Sequence, residues 1–163
     1  MDPLDPIKAA SHSNPYPYYA TLRSRESQLE HDLALKLWVA SKAGAVLEIL
    51  HNPALVVRPP EQPVPKAVDH SAAGTIFGVM LGAASRDDAL YVEAERFRLD
   101  RSEPAIVGFS SGKHQCPGEH IAQAIAAGAI TYLLDSGMEL SQHNIAWTYR
   151  PSPNARIPQF TTR

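Results

Sequence analysis

The stretch of sequence that decides the fold is FSSGKHQCPGEHIA, residues 109–122. Its cysteine, Cys116, stands immediately before a segment whose apolar residues recur at helical spacing. That segment predicts a long helix over residues 119–136, with Gly137 at the position of a C-terminal cap. We expect the apolar stripe of this helix to form the core of the domain. The stretch therefore predicts a cysteine in a glycine-containing loop at the N-terminus of the longest helix.

The position of Cys116 favours the thiolate form of its side chain. A helix N-terminus offers unpaired backbone N–H groups and the positive end of the helix dipole, and both stabilise an anion. Pro117 has no N–H, so we expect the backbone amides of Gly118 and Glu119 to donate hydrogen bonds to the sulfur, where such bonds tune its electron density. Gly112 and Gly118 allow the backbone to approach a flat ring closely. A thiolate ligates iron, and one axial cysteine is a known way of holding heme.

Two other interpretations of the cysteine compete with iron ligation. A lone cysteine before a helix is usually a small buried hydrophobic residue. Alternatively, His114, Cys116 and His120 could form a zinc cluster. Structural zinc sites generally need four ligands and more than one cysteine, so the zinc interpretation is the weaker of the two.

The spaced residues of this stretch resemble the cysteine-loop signature of the cytochrome P-450 superfamily. That signature is Phe-x-x-Gly-x-His-x-Cys-x-Gly-x-x-x-Ala, and every specified position is filled here. The resemblance implies that Cys116 is the axial ligand to the iron of heme b, that Phe109 packs near the sulfur and that His114 hydrogen-bonds a heme propionate. The expected heme-binding residues are Phe109, Gly112, His114, Cys116, Pro117, Gly118 and Ala122.

The resemblance covers most of the chain, in two blocks. Residues 1–57 are similar to the N-terminal segment of bacterial soluble members, and residues 74–163 to their C-terminal heme-binding segment. A proline-rich connector over residues 58–73 stands where the family has its large central helical region. The expected fold class is α+β, a truncated cytochrome P-450-like fold in one compact domain. It would have a small mixed sheet, several helices and the long helix that follows the cysteine loop.

Local patterns predict the individual elements of both blocks. In the first block they predict a tail over residues 1–14, a short helix from Pro17, strands over 28–32 and 36–40, and a helix that Ser41 caps and Asn52-Pro53 ends. In the second block they predict a buried strand over 74–82, a loop with a helical turn over 86–101, and a C-terminal hairpin over 144–163 that turns at 151–154.

The absent central region bears on activity. In the family it supplies an acid–Thr pair for oxygen protonation, and no such pair occurs in a helical context here. It also supplies a Glu-x-x-Arg motif that pairs with the arginine of Glu-Arg-Phe, here Glu95-Arg96-Phe97. Glu93 and Arg96 match the spacing of Glu-x-x-Arg but overlap Glu-Arg-Phe itself. We therefore expect Arg96 to lack its usual partner, and His70 is a candidate sixth ligand to the iron.

Two classes of function are compatible with this pattern. The first is a heme-thiolate oxidoreductase of the monooxygenase or peroxygenase class, which uses peroxide or carries out a non-oxidative step. The second is a non-enzymatic heme sensor or carrier, or an accessory protein that binds another enzyme. A third possibility is that the chain is a degenerate fragment with no function. Expected partners are heme, a small-molecule substrate, a second copy of the chain and a redox partner. The surface for the redox partner would be the basic residues Arg86, Arg96, Arg98, Arg101 and Lys113.

Composition sets limits on these functions. The chain has 163 residues, of which 44% are hydrophobic and 20% charged, as in a globular protein. A net charge of −2 gives no general attraction to nucleic acid or anionic membranes. One cysteine excludes an internal disulfide, the N-terminus is unlike a signal peptide, and the longest apolar stretch is too short to span a bilayer. We expect a cytoplasmic protein without nucleic-acid or membrane partners.

Overall fold

Helices and short strands alternate along the chain in the computed structural model, which describes residues 5–57, 75–102, 107–138, 145–150 and 157–162. In chain order the elements are α1 (Pro6–Ser11), α2 (Tyr16–Arg23), β1 (Leu29–Asp32), β2 (Leu37–Ala40), α3 (Ala43–His51), β3 (Phe77–Val79), α4 (Leu81–Ala84), α5 (Glu119–Asp135), β4 (Ile145–Arg150) and β5 (Ile157–Thr162). The α+β class is confirmed. The connector over 58–73, with His70, and the turn at 151–154 lie outside the described residues.

Two compact units are built from these elements. Residues 16–115 form the larger unit, and residues 1–15 together with 116–163 form the smaller one. The predicted division of the chain at the connector, into residues 1–57 and 74–163, concerns blocks of sequence rather than compact units. That division stays a prediction.

A three-stranded mixed sheet lies in the larger unit. Strand β1 runs antiparallel to β2, with Leu29 opposite Ala40, and β2 runs parallel to β3. The turn between β1 and β2 is built by Asp32, whose carboxylate accepts the amides of Ala34 and Leu35 at 3.0 and 2.9 Å. An aspartate that accepts amides two and three residues later is a typical turn former. The predicted strands 28–32 and 36–40 are confirmed to within one residue at their N-terminal ends.

The third strand differs from its prediction. Strand β3 covers three residues, all half-buried, rather than a buried run over 74–82. The strand ends because Met80 adopts φ −92° and ψ 74°, and α4 begins at the next residue. An apolar run alone does not distinguish a strand from a short buried helix.

The core of the larger unit is centred on α3. Its fully buried members are mostly small: Ala40, Ala43, Ala45, Val46, Leu50, Ala84, Tyr91 and Val107. Small side chains let α3 approach the end of β2 and α4 closely, as close-packed interiors require. The predicted helical spacing of Val46 and Leu50 is confirmed by their burial.

Helix α3 takes its N-terminal cap from a distant residue. The Ala43 amide donates to the Asp87 carboxylate over 2.7 Å, and the N-cap residue of the helix is Lys42, which makes no side-chain cap bond. A carboxylate at this end satisfies an orphan N–H and complements the helix dipole. The prediction that Ser41 caps the helix is therefore wrong. The segment that carries Asp87, residues 86–101, consists of turns without a regular helix.

Helix α1 in the smaller unit was not predicted, because residues 1–14 read as a tail. Asp5 caps the helix by accepting the Lys8 amide at 2.7 Å, and Pro6 occupies the first helical position. Both are recognised helix-start signals. The tail prediction is wrong over Pro6–Ser11, where this local signal outweighs the lack of apolar periodicity.

Helix α5 has the predicted length, and Gly137 follows it with φ +68°, as expected for a C-terminal cap. No residue of α5 is buried. Ile121, Ile125, Ile130 and Leu134 are between 58% and 76% exposed. The prediction that this stripe forms the core is wrong: periodicity reveals an apolar face but not the element that covers it.

Strands β4 and β5 form the predicted C-terminal hairpin. They pair antiparallel, with Trp147 opposite Phe160. Trp147 also packs edge-on against Tyr149, with 5.2 Å between ring centroids. Among the described helices, none has the length and hydropathy needed to cross a membrane.

Removal of the remote cap tests the role assigned to Asp87. We expect Asp87→Ala to lower the free energy of unfolding by about 1–2 kcal/mol, the usual cost of losing a helix N-cap. Urea denaturation followed by circular dichroism measures it. Glu48→Ala, an exposed change on α3, is the control and should stay within about 0.5 kcal/mol of the wild type. Equal losses in the two variants would contradict the capping role.

Candidate functional site

The cysteine loop begins in the larger unit as two consecutive 3₁₀ turns, Val107–Phe109 and Gly112–His114. Val107 is buried in the core and anchors the first turn. The Ser110 amide donates to the Val107 carbonyl at 2.9 Å, and the His114 amide to the Ser111 carbonyl at 3.2 Å. Ser110 and Gly112 have φ angles of +64° and +59°. The backbone therefore reverses twice in a few residues, which places Phe109 and His114 half-buried on this unit.

The C-terminal end of α3 holds the second of these turns. The Nε2 atom of His51 lies 3.1 Å from the hydroxyl of Ser111, and the ammonium of Lys113 donates to the Pro53 carbonyl over 2.8 Å. Gly112 lies so close that an added Cβ would sit 2.9 Å from Cδ2 of His51. Sequence reasoning missed His51 altogether, since nothing in the local pattern around a histidine at a helix end points to a loop 60 residues later.

The remaining half of the loop belongs to the smaller unit. Cys116 has an exposed, free thiol, and Gly118 is the N-cap residue of α5. The Ala122 amide donates to the Gly118 carbonyl at 2.9 Å, the first regular bond of the helix. The Glu119 amide donates to the Cys116 carbonyl over 3.3 Å, and its predicted bond to the sulfur stays a prediction. The cysteine thus stands at the helix N-terminus, as its sequence position indicates.

The residues around the sulfur fit a heme on its cysteine side. Apart from its chain neighbours, and within the described residues, a Cβ added to Gly118 would meet the Cys116 sulfur alone within 4 Å, at 3.8 Å, and Cys116 itself is exposed. Ile121, Ala122 and Ile125 add an exposed apolar surface along the first turns of α5. One accessible sulfur beside an apolar surface is what a thiolate-ligated heme requires.

A zinc site has no support in the part of the chain that the structure describes. There, no group of three or more His, Cys, Asp or Glu side chains is placed to hold a metal ion. Structural zinc takes four protein ligands, whereas heme needs a single axial one. The donor set therefore suits heme better than zinc.

The seven predicted site residues are divided between the two units. Phe109, Gly112 and His114 lie in the larger unit, and Cys116, Pro117, Gly118 and Ala122 in the smaller one. The motif is continuous in sequence, so its two halves are joined through Gln115. Their joint role in binding heme rests on the sequence pattern.

Arg96 is paired with a residue of its own segment. Its guanidinium forms an ion pair with Glu93, the residue whose match to Glu-x-x-Arg spacing was discounted. Arg98 pairs with Asp100 at 2.9 Å and with Glu93 at 3.4 Å. The hydrogen bond and the charge of Arg98 hold the pKa of the Asp100 carboxyl below its ordinary value. Arg96 thus has a partner within its own segment, and the prediction that it lacks the usual partner from the central region stays a prediction.

The other predicted basic residues are also engaged. Arg101 donates to the carbonyls of Val92, Glu93 and Arg96 at 2.7, 2.9 and 2.6 Å. Arg86 pairs with Glu95, and its guanidinium lies 3.7 Å from the centroid of the Tyr16 ring. These arginines stabilise the turns of residues 86–101, so their positive charge is largely balanced locally.

Comparison with known proteins gives the family. The family model described as Cytochrome P450 matches residues 70–136, which include the whole cysteine loop and α5. Over these residues, fewer than half of the chain, the sequence is similar to the cytochrome P-450 superfamily. No solved structure matches it.

The curated relatives described next are bacterial. The biotin biosynthesis cytochrome P450 of Bacillus subtilis (strain 168) is 34% identical over 73 residues, 45% of this chain and 18% of the relative. Cytochrome P450 105C1 of Streptomyces sp is 31% identical over 114 residues, 66% and 30% of the two chains. The 20-oxo-5-O-mycaminosyltylactone 23-monooxygenase of Streptomyces fradiae is 40% identical over 60 residues, 35% and 14%. The aligned part of this chain thus spans less than a third of each of these relatives.

Substitution of Gly112 tests the close contact of the P-450 loop with α3. We expect Gly112→Ala to lower the free energy of unfolding by about 1–3 kcal/mol, because it combines a left-handed φ with a contact that must shift. Gly44→Ala, in α3 with nothing within 4 Å of the new methyl, should raise it by about 0.5–1 kcal/mol. Urea denaturation of both variants measures these changes in the free energy of unfolding. A Gly112→Ala protein as stable as the wild type would show that the loop does not adopt this conformation.

Proposed function

We propose that this chain is a heme-thiolate protein in which Cys116 is the axial ligand to the iron of heme b. The observation that carries the proposal is the exposed thiol of Cys116 at the N-terminus of α5. The helix dipole and the amides of the first turn favour a thiolate there. The match of residues 70–136 to the cytochrome P-450 family model supports heme as the group that this thiolate holds.

The other loop residues are assigned roles by their place in the motif. Phe109 shields the sulfur from water, and His114 donates a hydrogen bond to a heme propionate. Gly118 and Ala122 carry little or no side chain, so α5 can lie against the porphyrin. Gly112 and Pro117 fix the backbone on either side of the ligand. Pro117 in addition has no N–H to donate to the sulfur, so the proposed donors are the amides of the first turn of α5.

For activity we propose a heme-thiolate oxidoreductase. The relative from Streptomyces fradiae, whose name describes a 23-monooxygenase, supports this class. When bound, a thiolate-ligated heme supplies O–O bond cleavage. The helices among the described residues contain no acid–Thr pair that could deliver protons to dioxygen, so we propose peroxide as the oxidant and a small molecule as the substrate.

We further propose that two copies of the chain associate through α5. The helix exposes a continuous apolar stripe that includes Ile130 and Leu134, and large exposed apolar surfaces favour association. The second copy would also exclude water from the bound group.

Loss of one apolar side chain on α5 tests this association. We expect light scattering after size exclusion to give a dimer for the wild type and a monomer for Ile130→Lys, because a charge at the interface is costly to bury. Thr131→Lys adds the same charge at the next, exposed position of the helix and should leave the dimer intact. A monomeric wild-type protein would overturn this part of the proposal.

Replacement of the ligand tests the central proposal. We expect the protein reconstituted with heme, reduced and exposed to carbon monoxide, to show the red-shifted Soret band typical of thiolate ligation. Cys116→Ala and Cys116→Ser should lose that band, because neither supplies a sulfur. His114→Ala should keep the band and bind heme more weakly, because the proposed propionate contact is lost while the ligand remains. Absence of bound heme after expression with excess heme would overturn the proposal.

A further inference from the structure

The end of helix α3 contacts the cysteine loop through a side chain that the family motif does not include. His51 is the last residue of α3, and its ring bridges two chain segments. The Nδ1 atom lies 2.8 Å from the Leu47 carbonyl, one helical turn earlier, and Nε2 lies 3.1 Å from the Ser111 hydroxyl. Both contacts lie within the larger unit. The ring therefore connects a helix to a loop 60 residues later in the chain.

The chemistry of these partners fixes the roles of the two ring nitrogens. A carbonyl oxygen only accepts, so Nδ1 carries the hydrogen and donates it to Leu47. In the neutral ring Nε2 is then an acceptor, and the Ser111 hydroxyl donates to it. The bond to Leu47 sets the orientation of the ring, since a ring held at one nitrogen presents the other in a defined direction.

Two further contacts hold the same turn against α3. A Cβ on Gly112 would lie 2.9 Å from Cδ2 of His51 and 3.3 Å from the Leu50 carbonyl, so the backbone at Gly112 lies directly on the helix end. Lys113 donates to the Pro53 carbonyl at 2.8 Å, just beyond that end. Three consecutive residues, 111 to 113, are thus fixed to one helix terminus. The next residue is His114.

We propose that His51 is a positioning residue for heme binding. It holds Ser111 and Gly112 so that the 3₁₀ turn Gly112–His114 keeps its conformation and presents His114 toward a propionate. The role toward heme rests on the function proposed above. The effect on the turn itself does not, because all of its contacts are made between protein atoms.

Two substitutions separate the two ends of the His51 ring. Glutamine places an amide oxygen near the position of Nε2, so His51→Gln should keep an acceptor for Ser111. Asparagine places its amide near Nδ1, so His51→Asn should keep the contact with Leu47 and lose that with Ser111. Ser111→Ala removes the same contact from the other side. His31→Asn, an exposed change on β1, is the control.

Hydrogen exchange in the heme-free protein tests the effect on the turn. The amides of His114 and Gln115 donate within the turn, at 3.2 and 3.1 Å. We expect His51→Asn and Ser111→Ala each to speed their exchange about fivefold, the factor for loss of one hydrogen bond, and the double variant to add little. His51→Gln and His31→Asn should exchange at the wild-type rate, and so should the Val46 amide near the start of α3 in all variants. Unchanged exchange in His51→Asn would overturn the proposal.

Heme titration of the same variants tests the role toward the cofactor. We expect heme affinity to fall about fivefold in His51→Asn and Ser111→Ala and to be rescued in His51→Gln, while the thiolate Soret signature persists in all of them. Faster exchange without weaker heme binding would overturn the positioning role. A wild type that binds no heme would overturn the proposed function as well as this role. The exchange data, collected without heme, would still show whether His51 holds the turn.

Discussion

Helix α3 is held at both ends by residues from the second half of the chain. At its N-terminus the Ala43 amide donates to Asp87 at 2.7 Å, and at its C-terminus the His51 ring lies 3.1 Å from Ser111. Between these ends Val46 is completely buried in the core. Because Asp87 and Ser111 follow the connector and α3 precedes it, the helix joins residues of the two sequence blocks within the larger unit. The 3₁₀ turn Gly112–His114 is held by contacts with this helix end.

The local architecture was predictable where one segment carries its own signals. Alternation and turn residues identified β1, β2 and the hairpin, and helical spacing with Gly137 identified α5. The remote contacts were not predictable, since the cap of α3 comes from Asp87, 44 residues after Ala43. Likewise, the stripe on α5 predicted an apolar face correctly and its burial wrongly. Periodicity reports which residues share a face, and burial depends on what lies opposite.

The candidate site likewise contains residues that the local sequence predicts and one residue, His51, that it does not. The residues from Phe109 to Ala122 were predicted because the motif is contiguous and its chemistry is local: a cysteine before a helix and glycines around it. His51 was missed because its contribution arises only when α3 and the loop pack together. The ion pair of Arg96 with Glu93 was not predicted, because a spacing of three residues shows that two charged side chains can meet only when the local backbone is known.

The account rests on the claim that the Cys116 sulfur binds the heme iron, and X-ray absorption at the iron edge of the ferric, heme-loaded protein tests it most directly. Four porphyrin nitrogens and one sulfur scatterer are the predicted first shell, and Cys116→Ser should retain the nitrogens and lose the sulfur. A wild-type spectrum that is fitted by nitrogen and oxygen alone would contradict the account.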